Sequence, residues 1–98
     1  MNISELWIAH SQSKFPSGYG GKDVNGVCVT SLDSCVSGCV SSYVSKGSNK
    51  IDLERYQVLR NSKTQLELVL PYIDESAFEY FSRLYEMCSS IINEAEIA

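Results

Sequence analysis

TSLDSCVSGCVSSYVSK, residues 30–46, is the stretch on which the fold turns. Leu32, Cys35, Val36, Cys39, Val40, Tyr43 and Val44 recur at the three-and-four spacing of an amphipathic helix. Thr30 with Asp33 three positions on reads as a capping box. Lys46 suits the negative C-terminal end, and Gly47 is able to take the left-handed cap. This spacing predicts a helix over 31–46. Its other face is unusual: Ser34, Ser37, Gly38, Ser41, Ser42 and Ser45 are small and uncharged, where a solvated face normally carries Lys and Glu.

Toward the C-terminus a second helix is predicted over about 50–70, opening near Asn49 with Asp52 in its first turn and ending before Pro71. Its stripe of Tyr56, Leu59, Leu66, Val69, Leu70 and Ile73 thins at Asn61-Ser62-Lys63-Thr64, which leaves room for a break. The run Leu66–Leu70 also fits a strand pairing with Val27–Thr30; helix is the favoured reading. A third helix, about 75–94, follows Asp74 as N-cap and places Ala77, Phe78, Phe81, Leu84, Tyr85, Cys88, Ile91, Ile92 and Ala95 on one face. Glu94 and Glu96 oppose the helix dipole, so fraying is expected after Ile92 and the last residues read as a solvated tail.

Toward the N-terminus the pattern weakens. Asn2 and Glu5 resemble a capping pair, with Ile3, Leu6 and Trp7 on one face, predicting a short helical flap outside the core. Residues 10–23 form a Ser/Gly-rich loop punctuated by Pro16, Gly18, Gly20 and Gly21. Val24–Thr30 reads as a turn at Asn25-Gly26 followed by a short extended segment. The expected architecture is therefore mainly α: a small bundle of about three helices (31–46, 50–70, 75–94) behind an irregular N-terminal region with a short strand. One domain spans 1–98, with a helical core over 31–95.

Composition agrees. In 98 residues, 44% hydrophobic and 20% charged is ordinary for one folded domain. Eight basic and twelve acidic side chains give a net charge of −4, which disfavours nucleic acid and anionic membranes as partners. No apolar run reaches membrane-spanning length, and the first residues lack the basic start and apolar core of an export signal. A cytoplasmic protein with reduced thiols is expected.

Chemistry is thinly represented. Cys28, Cys35 and Cys39 can be drawn as a three-thiolate metal site, but Cys35 and Cys39 sit within the apolar stripe, where buried free cysteine is common. Core packing is the favoured reading for them and for Cys88, and no cofactor is expected. His10 is the single histidine and falls in the irregular region, where exposure is expected. Combining it with Asp23 or Asp33 and one of sixteen serines carries no information by spacing. The loop Ser17-Gly18-Tyr19-Gly20-Gly21-Lys22-Asp23 invites a phosphate-binding reading. Pro16 stands where the first glycine belongs and Asp23 where Ser or Thr should bind magnesium.

The leading expectation is a non-catalytic interaction or regulatory protein, self-associating as a homodimer or meeting a protein partner. The candidate surface is Ser34, Ser37, Gly38, Ser41, Ser42 and Ser45, with the exposed aromatics Tyr72 and Tyr80. Alternatively the N-terminal segment folds over that face with Trp7 as anchor. A small-ligand or metal-binding protein using Cys28, Cys35 and Cys39 is the second reading. An enzyme with an inter-subunit site built from His10, Gly20, Gly21 and Asp23 is the remote third.

Overall fold

The computed structural model describes residues 2–98. In chain order these form α1 (Ile3–Ser11), β1 (Asp23–Val24), β2 (Val27–Cys28), α2 (Val29–Lys46), β3 (Lys50–Ile51), α3 (Leu53–Val69), a 3₁₀ turn (Leu70–Tyr72), α4 (Glu75–Glu94) and β4 (Glu96–Ile97). The mainly-α expectation holds, with four helices among the described residues rather than three. None of them is long and apolar enough to cross a membrane.

The extra helix is α1. Its predicted capping pair is real: Asn2 Oδ1 accepts the Glu5 amide at 2.9 Å while Glu5 Oε1 accepts that of Asn2 at 3.2 Å. The flap reading fails, because Leu6 and His10 lie one turn apart on the face that packs against α4 and α2, and both are buried. The helix runs on through Ser11, so the irregular loop starts later than the pattern suggested.

The boundaries of the other helices move for identifiable reasons. Val29, not Ser31, opens α2, because the hairpin β1–β2 delivers the chain directly into it. Asp23 pairs with Cys28 and Val24 with Val27 across a turn in which Asn25 and Gly26 have φ of 49° and 81°, the left-handed pair a two-residue hairpin needs. Thr30 is consequently inside the helix, and its hydroxyl accepts the Gly21 amide at 2.8 Å instead of capping. At the other end Gly47, with φ of 66°, closes α2 as predicted.

Helix α3 opens at Leu53 because Asp52, not Asn49, is its cap; Asp52 Oδ2 accepts the Arg55 amide at 3.1 Å. Lys50–Ile51 is extended instead, pairing in parallel with Glu96–Ile97. The chain end is therefore tied down rather than solvated and frayed: Glu96 N–H donates to Asn49 O and Ala98 N–H to Ile51 O. Helix α3 is unbroken, Ser62 is buried in its middle, and Leu66–Val69 is helical, so the strand alternative is overturned. Val27–Cys28, the partner that strand would have had, pairs with β1 instead, and Asn25 Nδ2 donates to Leu68 O at 3.0 Å.

Helix α4 is the centre of the bundle and contacts each of the other three helices. Ala77, Phe81, Leu84, Cys88 and Ile91 recur at helical spacing and are wholly buried. Phe81 meets the rings of Phe15, Tyr19 and Tyr80 at centroid distances of 6.0, 5.7 and 5.4 Å. That aromatic group roofs the core where the irregular N-terminal segment crosses it. Phe78, expected on the same stripe, instead turns to the surface, 47% exposed.

Candidate functional site

Three places hold the predicted site residues. The first is a polar cluster wedged between α1, α2 and α4. His10 Nε2 lies 3.2 Å from Asp33 Oδ1 and 3.3 Å from Ser37 Oγ, and Tyr80 OH donates to the same Asp33 oxygen at 2.8 Å. The His10 and Tyr80 rings are 4.6 Å apart, and Arg83 Nη1 donates to Ser13 Oγ at 2.9 Å beside them. Burial, reinforced by the neighbouring Asp33 carboxylate, pushes the Tyr80 phenol above its ordinary range, which favours the protonated form that donates to Asp33.

This corrects the sequence reading of His10 as an exposed loop residue: it is 5% exposed and on a helix. It also corrects Tyr80, which is half-buried and committed to Asp33. The arrangement is not a catalytic relay. A Ser-His-Asp relay needs the carboxylate on one imidazole nitrogen and the hydroxyl on the other. Here both fall on Nε2, while buried Nδ1 has no hydrogen-bond partner among the described residues. What the cluster does is fasten α1 to the bundle, with Asp33 as the shared acceptor. The signal for it was legible: Asp33 and Ser37 stand four apart on the flank of the apolar stripe, a spacing that puts both on one side of a helix.

The second place is the outward side of α2. The N-terminal segment covers part of it: α1 lies antiparallel, with His10 at Ser37 and Ile3 near Tyr43 and Val44. Ser37 is thereby withdrawn, and Trp7, half-buried, has its ring 6.1 Å from that of His10 on the same helix. Beyond that edge Ser34, Gly38 and Ser45 stay exposed, with Ser41 and Ser42 half-buried. A Cβ built on Gly38 would meet nothing within 4 Å. Tyr72, 68% exposed, lies on the 3₁₀ turn after α3, away from α2 in the sequence of elements.

The third place is the set of cysteines. Cys39 and Cys88 are buried, which raises both thiols, Cys88 to about 12. Cys28 is half-buried and Cys35 is exposed, contrary to its assignment to the core stripe. No three His, Cys, Asp or Glu side chains among the described residues are grouped to hold a metal ion. The glycine loop is a structural turn: the Gly21 amide is spent on Thr30, Gly20 is exposed, Lys22 lies 4.9 Å over the Tyr19 ring, and Asp23 is paired in the hairpin. His10 and Asp23 are not brought together. Comparison with protein-family models, with curated proteins and with solved structures yielded no match.

Proposed function

We propose that the chain is a non-catalytic interaction protein that associates through the outward face of α2, its first partner being a second copy of itself. The observation that carries this reading is the absence of charge on that face. From Ser34 to Ser45 α2 bears no charged side chain, although the chain as a whole carries −4. Two like-charged molecules meet at lowest electrostatic cost where neither presents charge, and small side chains let two helices approach closely. Ser34, Gly38, Ser42 and Ser45 recur at helical spacing, so they form one strip rather than scattered positions.

The size of the strip sets the strength. Twelve residues of helix are about 18 Å long and about 10 Å wide, giving roughly 200 Å² against the roughly 800 Å² per partner of a stable complex. The association is accordingly weak, and adjoining surface must contribute to anything tighter. Sedimentation velocity over about a hundredfold concentration range tests it. The wild-type chain should move from monomer toward dimer, and the double substitution Ser34→Glu and Ser45→Glu should weaken that shift by at least about tenfold through like-charge repulsion. A monomer at every concentration, or a dimer indifferent to the two glutamates, refutes the reading.

A further inference from the structure

The chain's net charge resides on two of its helices. α1 and α4 together carry five carboxylates, those of Glu5, Glu75, Glu79, Glu86 and Glu94, against the single cation of Arg83, while the seven acidic and seven basic side chains elsewhere cancel. A groove of about 360 Å³ opens on α4 beside α1, lined by Leu6 of α1 and by Phe78, Glu79, Ser82, Arg83 and Glu86 of α4.

Phe78, Ser82 and Glu86 stand four apart, on the side of α4 away from the buried Ala77, Phe81, Leu84 and Cys88. Phe78 offers a half-exposed aromatic ring, and Ser82 is small enough to let another backbone come close. Arg83 does not neutralise this face. Its side chain is largely buried, and its guanidinium is divided between Ser13 Oγ at 2.9 Å and Glu79 Oε1 at 3.1 Å. Glu86, and Glu75 one turn before Glu79, have no cationic partner among the described residues.

We propose that this groove is a docking site for a basic amphipathic helix of another protein, which lays an apolar side chain on Phe78 and sets Lys or Arg against Glu79 and Glu86. The surface is distinct from the outward face of α2 and does not depend on self-association. Charge selects a basic occupant, because every carboxylate on this side lowers the cost of bringing up a cation and raises that of an anion. Spacing selects a helix: Glu79 and Glu86 are seven residues, about 10 Å, apart along α4, which matches cations seven apart on one face of a helix lying alongside. An apolar residue midway between those cations then falls opposite Ser82, within reach of Phe78. A second copy of the chain is not the occupant. No two of its own Lys and Arg stand seven apart on one helix, and two copies of this face repel each other.

The probe is a fluorescently labelled, end-blocked peptide of about 15 residues, long enough to form helix, rich in alanine, with leucines between lysines placed seven apart. Anisotropy, read at a dilution where the chain is monomeric, should show saturable binding that weakens with salt, and circular dichroism a gain of helix on mixing. Phe78→Ala and Glu86→Lys, both at exposed positions that leave the fold intact, should each weaken binding by at least about tenfold. The double substitution Ser34→Glu and Ser45→Glu should bind no more weakly than wild type, which separates docking here from association through α2. No binding up to millimolar peptide, equal binding of a scrambled peptide of the same composition, binding without gain of helix, or indifference to Phe78→Ala would each overturn the proposal.

Discussion

Gly38→Ala should make the protein more stable, and the magnitude follows from the geometry. Gly38 is the tenth of the 18 residues of α2, far from either end, with an ordinary helical backbone. The added methyl would meet nothing within 4 Å, so it neither clashes nor buries area. Only the backbone entropy remains, and glycine in a helix interior is worse than alanine by about 1 kcal/mol. For a chain of this length that raises Tm by about 4 to 8 °C. Gly47→Ala, the same chemical change at another exposed site, should act in the opposite direction. Its φ of 66° is the left-handed conformation that a Cβ makes costly by about 1 to 2 kcal/mol. Thermal unfolding followed by circular dichroism, repeated at low and high protein concentration, reads both. A Gly38→Ala variant no more stable than wild type at dilution would refute the argument that the face is open in the monomer. A gain seen at dilution and lost at high concentration would place Gly38 against the backbone of a second copy.

Asp33 is the hub of the buried cluster, so Asp33→Ala, which strands Tyr80 and Ser37 together, should cost about 2 to 3 kcal/mol by urea titration. His10→Leu loses the Nε2 contacts with Asp33 and Ser37 but also removes the unpartnered Nδ1, and because the two partly offset it should cost less than Asp33→Ala, about 1 kcal/mol; the reverse order would mean that His10 carries the network. The Arg55 hydrogen bonds hold the Asp52 carboxyl below its ordinary 3.8, so its contribution is complete above that value and is lost as pH falls through the lower folded one. Asp52→Asn keeps the helix cap and should flatten the acid limb of the stability profile; an unchanged acid limb would show that the charge contributes nothing.

Local periodicity determined the helical class, the course of α2 and α4, and the caps at Asn2 and Gly47, because these depend on neighbours within about one helical turn. The uncharged strip on α2 was likewise visible, since charge and side-chain size are properties of the residues themselves. Contacts between distant segments were not. That Lys50–Ile51 is extended depends on Glu96–Ile97 arriving beside it, 46 residues later, and no local signal announces so short a pair. That α1 is a core element rather than a flap depends on the pocket α2 and α4 offer to Leu6 and His10. The same holds for chemistry. Asp33 looked like a capping residue because Thr30 stands three before it; it became a half-buried acceptor because the hairpin moved the helix start upstream, freeing its carboxylate for side chains 23 and 47 positions away. Sequence thus specified which surfaces each helix owns, and only the packing of the four helices decided which of those surfaces remained in contact with water.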